Sequence, residues 1–228
     1  MQNKVIAIDG PSGSGKSTIA RLLGRKLGFL HVDSGALYRI MTLVALRKGI
    51  DCNDEQAVAA LAHQVKVDFV PRDGRVACLV DGAEPGDAIR TPEINANVSP
   101  VSKVPEVRTV VTDWLRGMRA LGDIVVEGRD IGSVVFPDTP ARFYLDASAE
   151  ARARRRHLEE VQKGIATQDE AAVKASLLNR DRIDSSRKTA PLKVADGAVV
   201  IDSTDLTIDE VLATVLEHLP AYYLGERA

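Results

Sequence analysis

Cysteine is scarce in this sequence: Cys52 and Cys78 are its only two residues of this type in a chain of 228. The two form no C-x-x-C or finger-like spacing, which excludes a disulfide framework and predicts two reduced thiols. The four histidines likewise form no H-E-x-x-H or comparable pattern. A structural zinc site is therefore not expected.

Long hydrophobic runs and an excess of one charge are missing as well. The first apolar run, at residues 5–8, is far shorter than the roughly 20 residues of a membrane-spanning helix. It stops at Asp9-Gly10, so we expect no signal peptide, no membrane segment and a cytoplasmic protein. Thirty basic and 32 acidic side chains give a formal net charge of −2. Overall charge therefore provides no attraction to a nucleic acid polymer, and an anionic ligand must be held by local groups of cations.

Short apolar runs alternate with stretches of helical spacing along most of the chain. Strands are predicted at residues 4–8, 29–32, 123–127, 141–146 and 197–201, and helices at 16–27, 36–48, 54–64, 89–102, 104–121, 149–163, 169–184 and 207–219. This alternation predicts an α/β fold with a parallel sheet. Alternating runs at 65–70 and 75–80, joined by a turn at 71–74, predict a hairpin. We interpret that hairpin as a small antiparallel module inserted in the parallel core.

The segment G-P-S-G-S-G-K-S at residues 10–17 matches the phosphate-loop pattern G-x-x-x-x-G-K-[ST] between a predicted strand and a predicted helix. Glycines let the backbone N–H groups turn around a polyphosphate, and the helix N-terminus adds a favourable dipole. Lys16 is expected to reach the β- and γ-phosphates, and the Ser17 hydroxyl to coordinate Mg²⁺. The predicted ATP contacts of this segment are Gly10, Ser12, Gly13, Ser14, Gly15, Lys16, Ser17 and Thr18.

Other sequence patterns narrow the class of phosphate-loop protein. No N-K-x-D guanine motif occurs, which argues against a GTPase, and no G-x-S-x-G elbow is present. Glu127 ends a predicted strand, where it either binds Mg²⁺ through water or is an ordinary structural carboxylate. A phosphate acceptor is already anionic, so the absence of an evident general base fits phosphoryl transfer to a phosphate.

A kinase also needs cations for its second anionic reactant. The candidate cations are Arg39, Arg108, Arg129, Arg180, Arg182 and Arg187. A single arginine is usually a solvated surface charge. Arg39 and Arg129 nevertheless follow predicted core strands, and ligands of open parallel sheets bind at that edge.

The segment at 152–187 is densely basic and lacks a strong apolar stripe. Arg152 and Arg156 lie four residues apart and hence on one helix face. Two interpretations remain open. The segment is either a solvent-exposed helix with ion pairs to Glu159 and Glu160, or a lid that closes over the phosphates and excludes water. We favour the lid.

Six blocks of the sequence together resemble one known family, the bacterial cytidylate kinases. The blocks are I-D-G-P-S-G-S-G-K-S-T (8–18), D-S-G-A-L-Y-R (33–39), I-R-T-P-E (89–93), E-G-R-D-I-G-S-V-V-F-P (127–137), N-R-D-R-I-D (179–184) and A-P-L (190–192). They follow the family order over nearly the whole chain. The second and fourth blocks are much more specific than the phosphate loop, which other monophosphate kinases and dephospho-coenzyme A kinase share.

The resemblance implies a P-loop nucleoside monophosphate kinase fold and a role for each matched residue. It implies a core at 1–35, 103–149 and 189–228, an acceptor-binding insertion at 36–102 and a helical lid at 150–188. The acceptor-binding set would be Ser34, Tyr38, Arg39, Ser99, Arg108, Arg129, Asp130, Asp184 and Arg187. By matched position, Ser34, Ser99, Arg108 and Asp130 would contact the cytosine or its surroundings; Arg39, Arg129 and Arg187 the acceptor phosphate; and Asp184 the ribose.

The lid residues take their implied roles from the same resemblance. Arg180 would stabilise the transferring group, Arg152 would stack on the adenine of ATP, and Arg156 would lie near its phosphates. The catalytic set would then be Lys16, Arg129, Arg180 and Arg187. Relatives often carry further arginines where this chain has Ile183 and Ser185.

The expected reaction is transfer of the γ-phosphoryl group of ATP, with Mg²⁺, to CMP or dCMP by a monomeric enzyme. Two alternatives stay open at this point. One is a phosphate-loop kinase for another small acceptor, for which Asp33 is the only well-placed candidate base. The other is a non-catalytic nucleotide switch. A turnover assay with a panel of acceptors separates all three.

Overall fold

The structure is a computed structural model that describes residues 2–162, 164, 168–187 and 189–225. Parts of the predicted lid, at 163, 165–167 and 188, and of the predicted core, at 1 and 226–228, lie outside the described residues. The strands are β1 (Val5–Asp9), β2 (Leu30–Asp33), β3 (Asp68–Arg72), β4 (Arg75–Leu79), β5 (Ile124–Gly128), β6 (Ala141–Asp146) and β7 (Val199–Asp202). The helices are α1 (Lys16–Leu27), α2 (Ser34–Arg47), α3 (Glu55–Ala62), α4 (Pro92–Lys103), α5 (Pro105–Met118), α6 (Ala149–Gln162), α7 (Glu170–Ser186) and α8 (Ile208–Glu217).

The chain divides into two units, one formed by Met1–Val5 and Gly24–Glu127 and the other by Ile6–Leu23 and Gly128–Ala228. Both units contain parallel strand pairs and helices, so the α/β prediction is confirmed. The three-part division into core, insertion and lid is not tested by these units and stays a prediction. Among the helices of the described residues, none has both the length and the apolar character that a membrane crossing requires.

The first unit contains sheet strands in the order β3-β4-β2-β5. Strands β2 and β5 run parallel, with Asp33 opposite Glu127. The predicted hairpin is present as the antiparallel pair β3 and β4. The hairpin also joins the parallel strands, because β4 pairs in parallel with β2 at His31 and Arg75. The alternation of apolar and polar residues in a hairpin does not indicate which further strand of a sheet the hairpin pairs with.

Helix α2 organises the core of the first unit. It starts where Asp33 accepts a hydrogen bond from the backbone N–H of Ala36, a helix N-cap. Its buried Ile40 and Leu43 pack with Val80, Ile89 and Ile94. This packing holds the start of α2, directly after β2, in a defined place.

Two adjacent helical segments replace the predicted helix at 89–102. A 3-10 helix covers Gly86–Arg90, and α4 begins anew at Pro92. Thr91 caps α4 by accepting a hydrogen bond from the backbone N–H of Ile94, and Pro92 occupies a first-turn position where its missing N–H costs nothing. The cap and the proline separate the two segments.

The second unit contains the parallel strands β1, β6 and β7, in that order. All five residues of β1 are buried, as expected of a parallel strand covered on both faces. Helices α6 and α7 pack on each other through Ala153, Val173 and Leu177. A short π-helical turn at Ile131–Val135, which the sequence analysis did not predict, follows β5.

Candidate active site

The loop between β1 and α1 has the geometry of a phosphate cradle. Gly10, Gly13 and Gly15 all have positive φ angles, of 145°, 81° and 94°, which favour glycine. The Lys16 side chain lies inside the loop, where its Nζ donates to the carbonyl oxygen of Pro11 at 2.6 Å. A loop of this kind at a helix N-terminus, with an ammonium group within it, is suited to binding a polyphosphate.

The loop is supported by residues that sequence reasoning missed. The hydroxyl of Ser203, just after β7, donates to the carbonyl oxygens of Ser14 and Asp146 at 3.2 and 2.9 Å. Arg155 in turn donates from Nη1 to the Ser203 hydroxyl oxygen at 3.1 Å. No local motif marks these residues, because the contacts join segments far apart in the chain.

Asp9, the last residue of β1, is another residue that the sequence analysis did not single out. Its Oδ1 accepts from the backbone N–H of Ile131 at 2.8 Å, and its Oδ2 accepts from that of Gly132 at 2.7 Å. Burial raises the pKa of this carboxyl from 3.8 to about 6. The two amide hydrogen bonds and the charge of Lys16 oppose the rise in pKa, whereas the charge of Asp130 adds to it. Asp9 thus fixes the turn that follows Arg129 and Asp130.

The raised pKa of Asp9 predicts a pH-dependent stability. Between pH 3.8 and about 6 the native state binds more protons at Asp9 than the unfolded chain does, so this group's contribution to stability falls as the pH rises. Urea unfolding should show the wild type losing on the order of 3 kcal/mol relative to Asp9→Asn between about pH 4 and pH 7. A stability difference between wild type and Asp9→Asn that stays constant from pH 4 to pH 7 would contradict the raised pKa of Asp9.

Three of the residues assigned to the acceptor meet in the second unit. Arg129 Nε donates to Asp184 Oδ2 at 3.0 Å, and Arg187 Nη2 lies 3.2 Å from Asp184 Oδ1. The Asp184 carboxylate is almost fully buried beneath the two guanidinium groups. Two cations sharing one anion leave a net positive charge, and guanidinium groups bind phosphate oxygens well. Arg129, Arg187 and Asp184 therefore lie together, and their assigned roles at the acceptor phosphate and the ribose stay predictions.

The arginines of α6 have different surroundings. Arg152 is 5% exposed, and its Nη1 donates to the carbonyl oxygen of Ser12 at 3.1 Å. Arg156 is half-buried and pairs with Glu160 at 2.7 Å and Glu159 at 3.6 Å, which are the ion pairs of the solvent-exposed interpretation. Arg180, in α7, is partly buried. The proposed roles of these arginines at ATP, and the lid itself, stay predictions.

The first unit carries the remaining acceptor candidates on α2, α4 and α5. Arg39 donates from Nη1 to Ile89 O at 3.0 Å and to Asn95 Oδ1 at 2.7 Å. Arg108 is buried, donates to Ser102 O at 3.0 Å, and lies over the Tyr38 ring at 5.3 Å from its centroid.

Two further candidates of the first unit lie on α2 and α4. Ser34 is buried at the first position of α2, and Ser99 is half-buried on α4. Asp33, the alternative base, caps α2 and pairs with Arg90 at 3.2 Å. Its carboxylate is thus held by structural contacts.

The candidate site offers few protein ligands for a magnesium ion. Within the described chain, no cluster of three or more His, Cys, Asp or Glu side chains could hold a metal ion. Glu127 lies 3.0 Å from His31, and Asp9 is occupied by backbone amides. Ser17 is exposed on the first turn of α1, directly after Lys16. One hydroxyl beside a phosphate loop fits Mg²⁺ that is held mainly by phosphate oxygens and water.

Comparisons of the sequence with known proteins identify one family, and a comparison with solved structures identifies a shared fold. A family model described as cytidylate kinase matches residues 6–221. A cytidylate kinase of Pseudomonas aeruginosa strain UCBPP-PA14 is 44% identical over 216 residues, covering 94% of each chain. A cytidylate kinase of Geobacter sulfurreducens is 45% identical over 208 residues, covering 91% of this chain and 89% of the relative. An uncharacterized protein from Eubacterium ventriosum, of known crystal structure, shares the fold at a TM-score of 0.52 and 11% identity, covering 98% of this chain and 99% of the other.

Proposed function

The chain belongs to the cytidylate kinase family, and we propose how its own residues carry out the transfer of the γ-phosphoryl group of ATP to CMP or dCMP. The observation that carries the proposal is the buried Lys16 ammonium inside the glycine loop. The family match extends from that loop through the arginine cluster around Asp184.

Lys16 and the loop amides act on the donor. The ammonium group faces the β- and γ-phosphates and stabilises the negative charge that develops on the bridging oxygen as the bond to the γ-phosphorus breaks. Ser17 would hold Mg²⁺, which neutralises phosphate charge when it is bound with ATP. The other loop contacts to the donor in the proposal are Gly10, Ser12, Gly13, Ser14, Gly15 and Thr18.

Arg129 and Arg187 act on the acceptor. An oxygen of the CMP phosphate forms the new bond to the γ-phosphorus, and the two guanidinium groups offset the repulsion between the two anionic reactants. Arg39 adds a third cation to the acceptor phosphate, and Asp184 accepts hydrogen bonds from the ribose. Because the attacking phosphate oxygen is already ionised, the transfer requires no general base.

Base recognition is assigned to a mixed set of side chains. Arg108 and Asp130 are both nearly fully buried, so hydrogen bonds to them form in a poorly solvated place. Cytosine offers an amino donor next to ring acceptors, which a carboxylate and a guanidinium can match. Ser34, Ser99 and Tyr38 supply the remaining contacts around the base.

The test of this proposal is ADP production from ATP and Mg²⁺ with CMP, dCMP, UMP, AMP, GMP and shikimate as separate acceptors. We expect turnover with CMP and dCMP and little with the purine nucleotides or shikimate. Turnover with shikimate instead would favour the alternative hypothesis of a kinase for another small acceptor. Tight ATP binding without turnover of any acceptor would favour the hypothesis of a non-catalytic nucleotide switch.

Variants in the same assay test base reading. Asp130→Asn and Arg108→Met are each expected to raise KM for CMP by about 10-fold or more while changing KM for ATP little, because each removes a buried charged hydrogen bond. Asp113→Asn, an exposed carboxylate on α5, is the matched control and should behave as wild type. Equal increases in KM for ATP and for CMP would contradict recognition of the base by Asp130 and Arg108.

We also propose that the enzyme works as a cytoplasmic monomer. Its two cysteines are free thiols, with Cys52 buried, as suits a reducing compartment. Sedimentation measurements at assay concentrations test the monomer, and an increase of kcat with enzyme concentration would argue against it.

A further inference from the structure

Arg152 touches the phosphate loop with both its backbone and its side chain. A Cβ atom added to Gly13 would come within 3.1 Å of Arg152 Cβ and of its carbonyl oxygen, so the loop packs closely on this residue. The guanidinium Nε donates to Ala147 O at 3.0 Å, and Nη1 donates to Ser12 O at 3.1 Å. These contacts join α6 to Ser12 and Gly13 of the phosphate loop.

The same guanidinium also reaches α7. Arg152 Nη1 donates to Asp181 Oδ2 at 2.5 Å, and the two side chains are only 7% and 16% exposed. The other oxygen of Asp181, Oδ1, is buried and has no hydrogen-bond partner among the described residues. The Arg152 guanidinium is therefore the principal contact that compensates this partly buried carboxylate.

Helix α7 also carries Asp184, the carboxylate that pairs with two arginines assigned to the acceptor. Asp184 lies one helical turn after Asp181 and pairs with Arg129 and Arg187. A continuous series of contacts thus connects the Ser12 carbonyl, Arg152, Asp181 and, along α7, the carboxylate of Asp184. Removing one partner from a poorly solvated ion pair leaves the other charge without compensation, which costs more than the loss of an exposed ion pair.

We propose that Arg152 and Asp181 are a positioning pair that holds α7, and with it Asp184 and its two arginines, in register with the phosphate loop. This inference rests on the proposed function, because it concerns how the acceptor-binding arginines of that reaction are placed. It gives Arg152 a role different from adenine stacking. A guanidinium that is already bonded to two carbonyl oxygens and a carboxylate is fixed by the protein and need not touch the nucleotide base.

A double-mutant cycle of Arg152→Met and Asp181→Asn tests the pair. Each single variant should lower kcat for CMP phosphorylation about 10-fold with KM for ATP little changed, because misplaced groups cost rate more than binding. The double variant should be no slower than the slower single variant, since both changes break one contact. Arg154→Met, an exposed arginine on the same helix, is the control and should match wild type.

A raised KM for ATP in Arg152→Met, with normal kinetics in Asp181→Asn, would overturn the pair in favour of stacking on the adenine. A loss of kcat in the double variant that equals the combined losses of the two single variants would also overturn the positioning pair. Arg152→Lys, which keeps the charge near Asp181, should recover part of the lost kcat and provides a stable variant if Arg152→Met does not fold.

Amide hydrogen exchange supplies a readout that does not depend on catalysis. Exchange along Glu170–Ser186 should be faster in Arg152→Met and Asp181→Asn than in wild type, and unchanged in Arg154→Met. Unchanged exchange in Arg152→Met would overturn the pair even if activity falls. Failure of the wild type to phosphorylate CMP would instead remove the proposed function, while the exchange result would still decide whether the pair holds α7.

Discussion

Replacing Lys16 with alanine is expected to lower kcat for CMP phosphorylation by at least about 10²-fold while leaving the protein folded. Lys16 is 5% exposed and its ammonium group donates to the Pro11 carbonyl oxygen, so its charge is held within the phosphate loop before a nucleotide binds. A placed charge stabilises the transition state without the reorganisation that water would need. Steady-state kinetics with saturating ATP and CMP measure the loss.

The control for Lys16→Ala is Lys26→Ala, which removes an exposed lysine from the last turn of the same helix. It should retain wild-type turnover. Thermal unfolding and circular dichroism should show both variants folded. Near-wild-type turnover in Lys16→Ala would remove the proposed donor mechanism, because no other ammonium group is assigned to the β- and γ-phosphates.

The phosphate loop could be predicted from the sequence because its chemistry is local. Glycines with positive φ, a lysine and a hydroxyl all fall within residues 10–17, and the flanking strand and helix are contiguous with them. The predicted bounds of α1 (Lys16–Leu27) and β6 (Ala141–Asp146) are confirmed to the residue. Strong periodicity and clear stop signals at both ends account for this agreement.

The π-helical turn at Ile131–Val135 could not be predicted in the same way. Its apolar run has neither strand nor helix spacing, and its conformation depends on Asp9, which accepts hydrogen bonds from residues 122 and 123 positions away. A resemblance to a family marks the residues of this block as important. It does not say that a carboxylate at the end of β1 holds their backbone.

Arg152 and Arg156 show a further limit of sequence reasoning. Their spacing correctly places both on one face of a helix, since α6 spans Ala149–Gln162. Spacing does not determine depth: Arg152 is buried against Ser12 and Asp181, whereas Arg156 pairs with glutamates of its own helix. Two arginines one turn apart therefore have different surroundings. The difference follows from how α6 packs on the phosphate loop and on α7, which the sequence does not show.

Replacing Gly10 with alanine is expected to destabilise the fold by about 4 kcal/mol or more. The added Cβ would lie 2.0 Å from the carbonyl oxygen of Leu145 and 3.0 Å from its carbonyl carbon, at a φ of +145° that side chains rarely adopt. Leu145 belongs to β6, which pairs with β1, so neither backbone can move without breaking sheet hydrogen bonds. Urea unfolding at neutral pH measures the loss.

Gly15→Ala separates the steric clash at Gly10 from backbone strain. Gly15 also has a positive φ, of +94°, but a Cβ added there would meet no atom within 4 Å. Its substitution should therefore cost only the strain, about 1–2 kcal/mol. Equal destabilisation by the two substitutions would show that backbone strain alone requires glycine at both positions. A larger loss for Gly10→Ala would show that the close approach of β6 requires a residue without a side chain at the start of the loop.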